Sequence, residues 1–262
     1  MAQDTLSLAG KVAIVTGSGR ESGIGAAIAF IFARNGARVT INHVSDASAP
    51  RATNVAKVIQ AQGGAATVIQ ADISTQEGAA KLVQGTLAAF GVDHVDILVN
   101  NAAGGAPKSA LQSDREALDT IFQSIVYGPI FTIQATLPHM PRGGRIVNIG
   151  SIASKLGMSP SAVYGAAKAA QDSLTYALAM ELGRGHGVTI NTVAPGPVDT
   201  EALPKMVAEK IHETLIPMTR AEERAGTQED IADAVLLLVS EKSRWITGQI
   251  ISVSGGITGG SM

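Results

Sequence analysis

The chain has 262 residues, 45% of them hydrophobic and 16% charged, with a formal net charge of −2; this fits one globular α/β domain and excludes a disordered chain. It contains no cysteine, which excludes disulfides, zinc–thiolate centres and thiol catalysis, and no metal site is read elsewhere. With so little net charge and no Lys/Arg-rich run, neither nucleic acid nor an anionic membrane is expected as a partner; with no signal-peptide pattern over residues 1–10 and no apolar run of bilayer length, a cytoplasmic protein is expected.

The first predicted strand, Val12–Thr16, runs into Gly17-Ser18-Gly19-Arg20-Glu21-Ser22-Gly23-Ile24-Gly25 and then an Ala-rich helix. Glycines there permit a tight turn and let a phosphate approach the backbone, while the helix start offers free N–H groups and a positive dipole end. The second strand, Val39–Asn42, ends in Asn42-His43 without the acid that would bind the ribose of NAD. Arg20 can meet a 2′-phosphate at that place. NADP(H) is therefore expected over NAD(H), with Asp46 keeping the second in view. Pro50 suits the first turn of the next helix. The strand Thr67–Gln70 leads to Asp72, placed to meet an adenine edge, and Ser74 to Glu77 matches a capping box. Beyond strand Ile97–Asn100 and Asn101 a second capping box spans Ser113 to Glu116. Strands Ile146–Ile149, Thr189–Val193 and Ile250–Val253 complete the series, and Thr227 to Asp230 caps the helix before the last of them. Such β–α alternation in nearly continuous Val, Ile and Leu predicts a single-domain, doubly wound parallel sheet over residues 1–262. The stretch Glu201 to Gly226, charged and punctuated by Pro204 and Pro217, is expected to be a mobile substrate loop.

Tyr164 and Lys168 lie four apart on a helical segment and so share a face. A phenol with a pKa of ~10 is a poor acid at neutral pH. A neighbouring ammonium is expected to lower it, so that Tyr164 gives a proton in carbonyl reduction and takes one in the reverse direction. Ser151, after the fifth strand, can hold the reacting oxygen beside that phenol.

These pieces, with Asn100-Asn101-Ala102, Pro195-Gly196-Pro197-Val198-Asp199-Thr200 and Thr247-Gly248-Gln249 to Gly256, resemble the short-chain dehydrogenase/reductase family from Leu8 to Gly256. The resemblance implies a seven-stranded Rossmann fold of order 3-2-1-4-5-6-7 and hydride transfer between a nicotinamide and a carbonyl or alcohol. It implies catalysis by Ser151, Tyr164 and Lys168, and cofactor contacts from Gly17, Gly19, Arg20, Gly23, Ile24, Asn42, His43, Asp72, Ile73, Asn101, Ala102, Tyr164, Lys168, Pro195, Gly196, Val198 and Thr200. The closest look is to ketoacyl- and polyketide-type ketoreductases, with Leu156, Met158, Leu203 and Met206 expected along the substrate wall. A homodimer or homotetramer through the fourth and fifth helices is implied as well. The chain departs from the pattern in three places: the glycine loop is two residues longer than usual, Ala103 replaces a glycine, and Ile125 stands where the family commonly has a catalytic Asn. An Ile side chain cannot hydrogen-bond, so water with backbone carbonyls, Ser124 or Gln123 must substitute, or the chemistry is non-redox: an isomerase, dehydratase or cyclase. A non-catalytic NADP(H) sensor is a third reading.

Overall fold

Seven runs rich in Val and Ile pair into one sheet: β1 Val12–Val15, β2 Arg38–His43, β3 Ala65–Gln70, β4 Ile97–Asn100, β5 Arg145–Ile149, β6 Thr189–Pro195 and β7 Ile250–Val253. The computed structural model describes residues 6–105, 109–201 and 204–258. The strand order is β3-β2-β1-β4-β5-β6-β7, as the family resemblance implies, and every pair is parallel, as the β–α alternation predicts. Two of the seven expected strands, Ile97–Asn100 and Ile250–Val253, match these bounds, and the other five differ only at their ends, by one or two residues.

The α-helices among the described residues are α1 Ile24–Arg34, α2 Ala49–Ala61, α3 Gln76–Phe90, α4 Arg115–Phe122, α5 Gly128–Thr136, α6 Ala153–Leu156, α7 Ala162–His186, α8 Lys205–Leu215 and α9 Gln228–Val239. A π turn, Gln123–Tyr127, joins α4 to α5. Alternate strand residues feed two cores. Ala13, Val15, Val39, Ile41, Val99 and Val147 pack against α1, α2 and α9. Val12, Ile14, Leu98, Ile146 and Ile190 pack against α3, α5 and α7. Coverage of both faces explains why the strands read as continuous apolar runs rather than alternating ones.

One line of polar groups interrupts the second core. Thr132 Oγ1 donates to Asn100 Oδ1 at 2.7 Å, Asn100 Nδ2 to Asn148 Oδ1 at 2.9 Å, and Asn148 Nδ2 to Thr175 Oγ1 at 2.9 Å; the Thr175 and Thr192 hydroxyls pair at 2.8 Å. All five residues are buried, and together they cross the sheet from α5 over β4 and β5 to α7 and β6.

Two helix starts differ from expectation. Thr75, not Ser74, caps α3 by accepting from the Gly78 N–H, and Asp114, not Ser113, caps α4 by accepting from the Ala117 N–H. In both places two adjacent residues can cap, and the second has the extended backbone that a cap requires. Thr227 caps α9 as expected and forms a capping box with Asp230, and Pro50 lies in the first turn of α2.

Because β1 lies between β2 and β4, the chain leaves the sheet in opposite directions on either side of it. That switch point opens a crevice beyond the carboxyl ends of the strands, where α/β sheets take their ligands.

Candidate active site

The glycine loop follows β1 at this crevice. Gly17 has φ +62, and a Cβ there would lie 2.8 Å from the Ala102 Cα; only glycine lets the β1 and β4 loops approach so closely. The Thr16 hydroxyl accepts the backbone N–H groups of Asn101 and Ala102, both at 3.0 Å. In return, Asn101 Nδ2 donates to the carbonyls of Thr16 and Gly17 at 2.9 and 3.1 Å. Asn42 braces the loop from the β2 side: its Oδ1 accepts from Gly17 N–H at 3.1 Å, and its Nδ2 reaches the carbonyls of His43, Ile69 and Ala71. The His43 ring is buried and turned to the Ser45 carbonyl and Ser48 hydroxyl, while its Cβ and that of Ala52 crowd Gly19. Gly23 is the N-cap of α1, whose first turn has no side-chain cap and no acid. An uncapped start of an eleven-residue helix behind a glycine loop fits a phosphate of a dinucleotide.

Arg20 projects from this loop and donates to the Glu201 carbonyl at 3.1 Å. Arg51 of α2 stands beside it, paired with Glu21 at 2.6 Å and Glu201 at 2.9 Å. Desolvation is the largest single effect on Glu21 and raises it, but the Arg51 hydrogen bond and charge with a backbone hydrogen bond together outweigh it; at Glu201 the Arg51 hydrogen bond leads, and both carboxyls lie below the usual range. Arg51 was not among the expected site residues; its position two residues into the helix after an acid-free β2 was the available signal. Asp72 is exposed, its Oδ1 accepting from Ser74 N–H at 3.0 Å, while Ile73 is buried in the core.

Across the crevice, β5 ends before Ser151. Its Oγ accepts from Ala153 N–H at 3.1 Å, and its hydroxyl lies near the Tyr164 phenol. One turn along α7 from Tyr164, Lys168 is 2% exposed. Its Nζ donates to the Ile149 carbonyl at 2.5 Å and to Gln171 Oε1 at 3.3 Å, and lies 5.7 Å from the centre of the Tyr164 ring. Burial pulls the Lys168 ammonium down from 10.5 to about 8, against the attraction of Asp172. The Tyr164 phenol moves opposite to expectation: burial raises it, and the nearby Ser151 hydroxyl pulls it part of the way back. The ammonium does not dominate because it is itself desolvated and spends two of its protons on other acceptors.

Ile125 lies in the π turn, fully buried, in a cluster with Ile121, Val126, Val163 and Ala167. Neither expected substitute serves Lys168. The Ser124 hydroxyl is engaged with Gly104 and Ile121, and Gln123 is exposed. Gln171, which sequence reasoning passed over, occupies the place: its Nε2 donates to the Ile125 carbonyl at 3.3 Å while its Oε1 accepts from Lys168. Next to it Asp172 is buried with neither oxygen in a hydrogen bond; the Ser154 hydroxyl is near it but outside bonding geometry, and Lys155 Nζ is 3.8 Å away. Burial raises this carboxyl, which the Ser154, Lys155 and Lys168 groups only partly offset.

The Pro195–Thr200 stretch closes the third side. Ile152 N–H donates to the Pro195 carbonyl, Gly196 N–H to the Val253 carbonyl, and Val198 bridges to Gly226. Among the expected substrate-wall residues, Leu156 and Met158 pack with Ile152, Ile211, Leu215 and Ile257. Met206 is 80% exposed, and Leu203 lies outside the described residues. No helix among the described residues is long and apolar enough to cross a membrane, and none of their His, Asp and Glu side chains group as metal ligands.

A family model described as "Enoyl-(Acyl carrier protein) reductase" matches residues 17–258. The protein "Short-chain dehydrogenase/reductase FrzI" of Cladobotryum sp is 42% identical over 96% of this chain and 97% of its own. Among solved structures, angucycline C-6 ketoreductase LanV with bound NADP has a TM-score of 0.87 at 32% identity, covering 96% of both chains. A blue fluorescent protein from a metagenomic library, in complex with NADPH, has a TM-score of 0.87 at 34% identity, covering 97% of this chain and 100% of that one. Agreement of this extent, in sequence and in fold, means that the chain belongs to the short-chain dehydrogenase/reductase family of oxidoreductases.

Proposed function

We propose that the chain is an NADPH-dependent ketoreductase that reduces a small to medium, moderately apolar ketone to an alcohol. The observation that carries this reading is the Tyr164 phenol, with the Ser151 hydroxyl near it and a buried Lys168 one turn away, 5.7 Å from the centre of its ring. The uncapped start of α1 fits a pyrophosphate, and Arg20 and Arg51 provide positive charge beside the acid-free end of β2, where a 2′-phosphate belongs. The neighbours with bound NADP and NADPH support the same cofactor here. Bound in the crevice, NADPH would supply the hydride for the carbonyl carbon.

The chain's own residues manage the oxygen. The Ser151 hydroxyl donates to it and fixes its position, and Tyr164 transfers its phenolic proton to it as negative charge develops. Lys168 would hold the nicotinamide ribose, and its charge favours the phenolate left behind. Burial keeps the Tyr164 proton in place until a stronger base, the nascent alkoxide, takes it. Leu156 and Met158, covered by α8 through Ile211 and Leu215, form the substrate wall. The exposed sides of α5 and α7 join copies into a homodimer or homotetramer.

The test is NADPH oxidation across a panel of ketones with the parent and Tyr164→Phe. Loss of the acid is expected to lower kcat by about 10²–10⁴-fold while NADPH still binds, read by nucleotide fluorescence. A Tyr164→Phe protein that turns over at the parental rate overturns the mechanism.

A further inference from the structure

We propose that Gln171 is a positioning residue of the proton-transfer site: its side-chain amide ties the Lys168 ammonium to the Ile125 carbonyl and thereby fixes the direction of the remaining lysine proton. The proposal deepens the reading of Lys168 as the partner of Tyr164. An ammonium has three N–H donors. Two are spent on the Ile149 carbonyl and Gln171 Oε1. Gln171 lies three residues beyond Lys168 on α7, so the two side chains are neighbours by helix geometry.

The other end of the amide needs an acceptor, and the π turn supplies one, because its wider winding frees carbonyls from the helical ladder. Gln171 Nε2 donates to Ile125 O there. Gln171 is 2% exposed, so swinging away from either partner would leave a buried polar group orphaned. Glutamine suits the place because it presents an acceptor to the lysine and a donor to the carbonyl. Glutamate lacks the donor and leucine lacks both. The Ile125 side chain, packed on Val163 and Ala167, brings no polar group of its own. An amide neither gains nor loses a proton at neutral pH, so Gln171 anchors Lys168 without relaying its proton.

The titratable groups facing Lys168 are Tyr164 and Asp172 on α7 and, beyond Asp172, Lys155 on α6. From β5 and the π turn come only the carbonyls of Ile149 and Ile125.

The experiment compares the full-length parent with Gln171→Leu, which keeps the bulk and loses both hydrogen bonds, and Gln171→Ala, which leaves room for a water between Lys168 and the carbonyl. Lys168 is titrated by NMR in protein labelled at the lysine Cε, its signal assigned with Lys168→Arg, and kcat for ketone reduction is followed in parallel. Losing an acceptor disfavours the charged amine, so Gln171→Leu is expected to lower the Lys168 midpoint by about one pH unit, a tenfold loss of proton affinity. Gln171→Ala is expected to fall between it and the parent, and kcat to decline in the same order. A Lys168 midpoint unchanged in Gln171→Leu, or in Gln171→Ala should the leucine variant not fold, overturns the proposal. If the parent reduces no ketone, the catalytic reading fails on its own, and the NMR titration still decides whether Gln171 holds Lys168.

Discussion

Lys168 carries a charge that its surroundings resist. Burial brings its folded-state pKa to about 8, against 10.5 for the free side chain. Between these values the unfolded chain binds a proton that the folded chain does not, so stability rises with pH across that window, and below it the folded protein bears the full cost of a buried ammonium. A neutral Lys168→Met variant escapes this cost. Its unfolding free energy relative to the parent is therefore expected to be most favourable at pH 8 and below and to decline steadily towards pH 10.5. Urea midpoints measured at intervals of pH check this, and a constant offset between the two proteins counts against it. At this scale Ser151, Tyr164 and Lys168, the residues proposed to act on the ketone, stand out in the sequence because their types and spacing suit that chemistry. Gln171 is not: three residues past a lysine on a helix, a glutamine reads as one more polar side chain. Its meaning depends on a carbonyl 46 residues earlier in the chain, and only the gap left by Ile125 hints that something must fill it.

The elements show where local chemistry decides and where it leaves a choice. Strands are legible because a sheet covered on both faces must be apolar throughout. Helix starts are legible to within one residue, since Ser74-Thr75 and Ser113-Asp114 each offer two capping side chains and only the backbone angle selects between them. The π turn is invisible in sequence, because Gln123–Tyr127 has no composition that separates it from an ordinary helical turn. Glycines in helices also divide by surroundings that the sequence does not display. A Cβ on Gly78 in the first turn of α3 would come within 1.8 Å of the Asp72 carbonyl oxygen, whereas one on Gly183 in α7 would meet nothing within 4 Å. Gly78→Ala is accordingly expected to cost about 2 kcal/mol or more by displacing the helix start. Gly183→Ala is expected to add roughly 0.5–1 kcal/mol by restricting the unfolded chain and improving helix propensity. Thermal melts of the two variants beside the parent separate these outcomes by the sign of the shift in Tm.

At the scale of the whole molecule, the β–α rhythm predicts the parallel, doubly wound sheet and the glycine loop marks its ligand crevice, while the order of the strands is what the family resemblance implies. What the rhythm does not disclose is the row of Thr132, Asn100, Asn148, Thr175 and Thr192 running through the second core. Each is a polar residue in an otherwise apolar strand or helix face, and only assembly brings them into line. Asn148 sits in the middle, donating to Thr175 and accepting from Asn100. Asn148→Ala leaves both neighbours buried and underbonded, and an unfolding cost of about 2–4 kcal/mol is expected. Denaturant titration measures it; a loss of a few tenths would mean that the row contributes little.

The same row has a bearing on reactivity. Dispersion contacts between methyl groups have no preferred direction, so a helix resting on them alone can creep by fractions of an ångström as it warms. Thr175 is instead pinned between an amide on β5 and a hydroxyl on β6. It lies about three turns along α7 from Tyr164. The sheet thus acts as a datum from which the reach of the phenol is measured, and on the proposed mechanism the acid would stay aligned with its substrate as the protein warms.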